Sequence, residues 1–151
     1  MRILVTGCDG FIGKHLMDEL PDAEGCDIGT KELTGPLDGI IHLAAVSRVR
    51  DAESDRLKCL ETNILLTARM LEWNPRWFIF ASTCEKPTNI YGYSKRAAED
   101  YIKLRCERYA ILRLSNVYGP GMAEDKLLPR LRDGKIPGFH DGVFPFEHIH
   151  V

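Results

Sequence analysis

Tyr91 and Lys95 are the two side chains whose spacing in this sequence suggests proton chemistry. Four residues apart, they fall on one face of a helix. A lysine ammonium beside a phenol favours the phenolate and draws the tyrosine pKa toward neutrality. Such a tyrosine can take the proton from a substrate hydroxyl, one half of oxidising an alcohol carbon. Tyr93 is a second phenol nearby, but two residues from Lys95 it faces elsewhere on the same helix. Two exposed helix residues would show the same spacing, so the pair gains meaning only from what surrounds it.

An oxidised carbon needs an electron acceptor. The segment Thr6-Gly7-Cys8-Asp9-Gly10-Phe11-Ile12-Gly13 has the form of a site for one. It follows a short apolar run and opens a helical pattern, so the helix N-terminus would point backbone N–H groups and a positive dipole end at a pyrophosphate. Gly7 permits the tight turn, Gly10 lets the backbone approach phosphate, and Gly13 lets the helix pack close to the strand. The spacing is GxxGxxG rather than GxGxxG. Asp27 stands 20 residues beyond Gly7, where a carboxylate can accept hydrogen bonds from both adenine-ribose hydroxyls and repel a 2′-phosphate. With Asp9 adding negative charge and no arginine in the loop or just after Asp27, the expected cofactor is NAD rather than NADP. Lys31 is the nearest cation that could welcome a phosphate, and it reads equally as solvated surface.

The elements that must position these groups alternate. Strands are expected over residues 2–6, 23–26, 39–45, 77–81 and 109–114, and helices over 11–20, 52–73, 94–107 and 126–132. Strands alternating with helices imply an α/β fold, a Rossmann-type doubly wound parallel sheet flanked by helices. The 151 residues are enough for one sizeable core. A net charge of −2 gives no general attraction to nucleic acid or anionic membrane, and no apolar run reaches the ~20 residues of a membrane span. The first residues lead straight into the glycine loop, which excludes a signal peptide. Five cysteines without a CxxC pair read as free thiols of a cytoplasmic protein rather than a disulfide framework or zinc site. Cys8, inside the anion loop, is the one whose thiolate a helix N-terminus would favour. His148 and His150 share a strand face but lack a third ligand, so no metal is expected.

Beyond the loop, the sequence carries His42-Leu43-Ala44-Ala45, Asn63 in the long helix, Phe78-Ile79-Phe80-Ala81-Ser82-Thr83, Tyr91-Gly92-Tyr93-Ser94-Lys95 and Leu112-Arg113-Leu114-Ser115-Asn116-Val117-Tyr118-Gly119-Pro120. In this order they resemble the extended short-chain dehydrogenase/reductase family, the nucleotide-sugar epimerases and dehydratases. The resemblance spans most of residues 1–120. It implies a nucleotide-sugar substrate, Tyr91 as general base, Lys95 as its electrostatic partner and ribose anchor, and Thr83 as the hydroxyl that orients the sugar. It also implies a cofactor site built from Gly7, Asp9, Gly10, Phe11, Ile12, Gly13, Asp27, Leu43, Ala44, Ala45 and Lys95. In the dehydratases of this family a Thr-x-Glu element assists proton transfer. Glu85 matches that glutamate or is a charged turn, while Cys84 replaces the usual Asp or Ser and reads as a small apolar filler.

Two features depart from the family. Only residues 84–90 separate Thr83 from Tyr91, where family members carry a longer substrate-binding loop, and residues 27–39 are too short for a full crossover helix. Family members are also roughly twice as long, and the sequence ends at Val151, in a region resembling their His-Val-x-Asp element. The expected organisation is therefore a Rossmann core over residues 1–118 and a remnant of the substrate region over 119–151, with the C-terminal substrate lobe largely absent. Such a chain would self-associate or meet a complementing partner chain. Its function is an NAD-dependent epimerase/dehydratase-like one. The alternative is a non-catalytic NAD(P)-binding module or one part of a split two-chain enzyme.

Overall fold

A run of apolar and β-branched residues makes β1 (Ile3–Thr6), and Gly7 ends it with a φ of +71°. The computed structural model describes residues 1–27, 35–134 and 148–150. Helix α1 (Phe11–Glu19) follows, then β2 (Glu24–Cys26) and β3 (Gly39–His42). Next come the helical segments α2 (Val49–Ser54), α3 (Arg56–Leu60) and α4 (Leu66–Glu72), then β4 (Trp77–Thr83), α5 (Ile90–Arg105) and β5 (Tyr109–Leu114). All five strands are parallel, in the order β2-β1-β3-β4-β5. The order reverses between β1 and β3, which opens a crevice at their C-terminal ends.

Register decides which residues share a face. Leu4, Ile40 and Phe78 are cross-strand neighbours and pack under Leu71, Ala98 and Ile102, forming the buried core. Each fully buried apolar side chain of this size contributes about 1.5–3 kcal/mol relative to exposure. Gly25 points to the other face, where an added Cβ would meet Cys8 and Met17 of α1. Helices therefore cover both faces, as expected for a doubly wound sheet.

The long helix expected over 52–73 is interrupted. Asp55 leaves the helical conformation, with φ −139° and ψ 83°, and its carboxylate accepts from the Lys58 N–H, so it ends α2 and caps α3. Between α3 and α4 the residues Glu61–Leu65 form one π-helical turn. Helix α5 begins four residues earlier than expected, because Asn89 caps it by accepting from the Gly92 N–H at 2.8 Å. This correction puts Tyr91 inside the first turn. The connection after β2 falls mostly on residues 28–34, outside the described residues, as does Lys31. Its return is anchored where Asp38 receives the Arg2 N–H at 2.7 Å.

The chain divides into two compact units, Met1–Leu114 and Ser115–Val151. The second unit contains β6 (Asn116–Tyr118), α6 (Leu127–Arg132) and β7 (His148–His150), with β6 and β7 paired in parallel. The side chains of His148 and His150 lie outside the described residues.

Candidate active site

The glycine loop and the loop after β3 meet at the crevice. A Cβ on Gly7 would lie 2.7 Å from the Ala44 backbone nitrogen, so only glycine lets the two turns approach. A Cβ on Gly13 would collide with the Gly7 carbonyl oxygen and the Cys8 backbone, which is how α1 reaches the strand so closely. At Gly10 the sole neighbour of an added Cβ is the Gly7 carbonyl, leaving that side open. Gly10 is also the N-cap of α1, with no side-chain cap and no acidic residue in the first turn. The first-turn amides around Phe11, Ile12 and Gly13 thus have the character of an anion site. Leu43 and Ala45 flank the buried Ala44. Asp27 follows β2 directly, near enough to the loop for its charge to act on Cys8. Burial pushes the Cys8 thiol up, and the carboxylates of Asp9 and Asp27 push it further. The expected thiolate at Cys8 is therefore not supported, because two neighbouring anions oppose the helix end.

Thr83, Tyr91 and Lys95 come together one strand pair away. Thr83 ends β4, and its hydroxyl stands close enough to the Tyr91 phenol to act on it. Lys95 is only 3 % exposed, one turn further along α5, with its ammonium nitrogen 4.2 Å from the centre of the Phe80 ring. The short 84–90 link suffices because it is laced to itself. Thr83 Oγ1 accepts the Glu85 N–H, Asn89 Nδ2 donates to Glu85 Oε1 at 3.0 Å, and Glu53 of α2 accepts the Ile90 N–H. Gly92 is required here, since a Cβ would run into the Lys86 carbonyl. Tyr93 points away, 55 % exposed. Cys84 is exposed and donates to the Arg113 carbonyl at 3.0 Å, so it is not the buried filler expected.

The electrostatics differ from expectation. Burial pushes the Tyr91 pKa up; the Thr83 hydroxyl partly offsets this, and Glu85 and Cys59 add to the rise. Burial brings Lys95 down to about 7, against the opposing pull of Cys59 and Glu99. Lysine 95 faces the Phe80 ring and is not among the groups acting on the phenol. Spacing put the two on one helix face but could not foresee that both would be desolvated.

Residues 28–135 match the sequence pattern of the NAD dependent epimerase/dehydratase family. The chain belongs to that family. It is 32% identical over 136 residues to the UDP-2-acetamido-2,6-beta-L-arabino-hexul-4-ose reductase of Pseudomonas aeruginosa, covering 79% of this chain and 36% of that protein. It is 28% identical over 192 residues to the dTDP-D-glucose 4,6-dehydratase of Mus musculus, covering 85% and 54%. The chain thus spans between about a third and a little over half of these curated relatives. Among solved structures it resembles MoeE5 in complex with UDP-glucose and NAD, with a TM-score of 0.82 and 26% identity over 99% of this chain and 68% of that one.

Several residues of this family member that sequence reading did not assign to the site support it. Glu99, 1 % exposed, receives Ser82 of β4, Arg96 of α5 and Arg113 of β5. Burial opposes its charge, but the hydrogen bonds from Arg113, Ser82 and Arg96 outweigh that and bring its pKa down to about 2. Asn63, in the π turn, holds Val46 of the β3 loop and Ser94 of α5 at once. The available signal was Glu99 one turn past Lys95 and a polar Asn63 one turn past Cys59 on the same helical face.

Proposed function

We propose that this chain binds NAD and acts on the sugar of a nucleotide-sugar by transient oxidation of an alcohol carbon. The observation that carries the reading is the meeting of Thr83 and the Tyr91 phenol, one helical turn from the buried Lys95, beside a glycine cradle that side chains would fill. Relatives named as a nucleotide-sugar reductase and dehydratase, and a similar structure holding UDP-glucose and NAD, support it.

The open first turn of α1 would receive the pyrophosphate, Asp27 the adenine ribose, and Leu43, Ala44 and Ala45 would border the dinucleotide. Bound NAD supplies the electron acceptor for the carbon being oxidised. Thr83 orients the substrate hydroxyl, and Tyr91 takes its proton and later returns it. Lys95, buried one turn further along α5 and brought down to about 7 by that burial, anchors the ribose. Glu85 raises the phenol pKa while bonding Asn89, so it serves the turn and stands near the proton-transfer site.

A second reading has its own observation: Tyr109 and Leu112 of β5, the end strand of the sheet, are 43 % and 47 % exposed. On this reading the chain is an NAD-binding part completed by a second copy or a complementing chain. One set of assays separates them. Wild type should bind NAD and turn over a UDP- or dTDP-sugar, and Tyr91→Phe should keep binding while turnover falls at least ~100-fold. Binding without any turnover by wild type favours the second reading; no binding at all sinks both. NAD should bind more tightly than NADP, and equal or tighter NADP binding would remove Asp27 from its role.

A further inference from the structure

We propose that His42 is a positioning residue: as its neutral Nε2–H tautomer it couples the glycine loop to the catalytic end of α5 through a hydrogen-bond relay of fixed direction. What the two ends do rests on the function proposed above; the relay itself rests on geometry.

The direction follows from one carbonyl. Thr67 Oγ1 lies 2.8 Å from the Asn63 backbone oxygen, which only accepts, so the single hydroxyl hydrogen of Thr67 is spent there. At 3.0 Å from Thr67 Oγ1, His42 Nε2 must then be the donor. A neutral imidazole protonated on Nε2 has a bare Nδ1, and this accepts from the Thr6 hydroxyl at 2.6 Å. Its hydrogen used, Thr6 Oγ1 accepts the Ala44 N–H at 3.3 Å. Beyond Asn63 the chain continues: Oδ1 accepts the Val46 N–H at 2.8 Å, while Nδ2 donates to the Val46 carbonyl and to Ser94 Oγ at 2.9 Å. Ser94 in turn donates to the Tyr91 carbonyl at 2.8 Å. Cys59 Sγ lies further off, 3.5 Å from both Asn63 Nδ2 and Ser94 Oγ, so each hydrogen of the path has one short acceptor, and the Val46 N–H to Oδ1 fixes the asparagine amide orientation.

The relay ties both flanks of Ala45, at Ala44 and Val46, to the strand that launches the glycine loop and to the turn carrying Tyr91. His42 is fully buried, stacked on Phe80 at 5.8 Å and 21°. Lys95 approaches the same Phe80 ring. Burial and the Lys95 charge keep His42 neutral, with a pKa of about 3. A protonated ring would present a second donor to Thr6 and break the sequence of bonds.

Two measurements test this on the full chain. Long-range ¹H–¹⁵N spectra of the imidazoles, assigned through bonds in the unaltered protein, should show His42 protonated on Nε2, bare on Nδ1 and unchanged between about pH 5 and 8. A proton on Nδ1, or titration near the ordinary histidine value, overturns the proposal without any variant having to fold. The second is a cycle of Thr6→Val, Ser94→Ala and the double variant, read as NAD dissociation constants. Two cuts in one relay should together weaken binding about tenfold, no more than the worse single cut; additive losses of about a hundredfold overturn it. A wild type that does not bind NAD refutes the proposed function, and the tautomer measurement then still decides the relay.

Discussion

The glycine loop and the β4–α5 corner stand side by side on one sheet and are built by different means. The loop is specified by what is missing: no Cβ at Gly7, Gly10 or Gly13, and no side chain capping α1. The corner is specified by what is present and desolvated: Thr83, Tyr91 and Lys95 seated on a buried network of Ser82, Asn63, Ser94 and Glu99. One region is a backbone template that tolerates no added atom. The other is an assembly of polar and charged side chains held by their hydrogen bonds away from water.

The largest effects should come from adding one methyl to each region. In Gly13→Ala the new carbon meets the Gly7 carbonyl and the Cys8 backbone; in Gly92→Ala it meets the Lys86 carbonyl. Backbone atoms cannot swing aside as a flexible side chain does, so each variant should lose about 3 kcal/mol, the upper end of ordinary overpacking. Thermal midpoints check the loss. The comparison is sharpened by NAD titration, where Gly13→Ala should abolish binding and Gly92→Ala should mainly reduce turnover. Equal losses of NAD affinity in both would break the distinction.

Acid should act on the corner and its buried neighbours rather than on the loop. His42 has a folded pKa of about 3 against an ordinary value of 6.5, so below 6.5 the unfolded chain takes a proton that the folded chain refuses. The stability this group contributes is complete above 6.5 and is lost as pH falls toward 3, at up to about 1.4 kcal/mol per pH unit. Glu99, lowered from 4.5 to about 2, adds a loss of the same sign over the lower window. Lys95 is the charged group that bears on His42, and its own titration lies higher, at about 7. Denaturant midpoints measured from neutral pH to about pH 4 should decline, and the decline above about pH 5 should vanish in His42→Phe. An unchanged slope in that variant would show that another group controls it.

The same contrast explains what could be read from the residues alone. The loop was legible because glycine spacing is itself the stereochemical requirement, and the alternation of strands and helices gave the parallel sheet. Tyr91 and Lys95 were legible as a pair on one face, since a helix fixes i and i+4. Their pKa directions were not, because desolvation depends on the helices packed above β4. The break at Asp55 and the early start at Ile90 were also hidden: each depends on a side chain turning back to cap a helix, where periodicity saw only polar residues. Asn63 matched a family position, yet its grip on Val46 and Ser94 needs three elements in contact.

The smallest expected effect is the most selective one. Asn89 caps α5 through the Gly92 N–H and, through its amide nitrogen, restrains Glu85. Removing the side chain in Asn89→Ala should cost about 1 kcal/mol, typical of a lost cap. The consequence for the site should exceed that figure, because the cap fixes the first turn of α5, and Tyr91 is the second residue of that helix. Turnover should fall several-fold while the NAD dissociation constant stays within about twofold of wild type, since the relay bonds of Asn63 and Ser94 are left in place. Should NAD affinity fall as far as turnover, the Asn89 cap would itself belong to the relay that runs through Ser94, Asn63 and His42 to the glycine loop, rather than standing outside it.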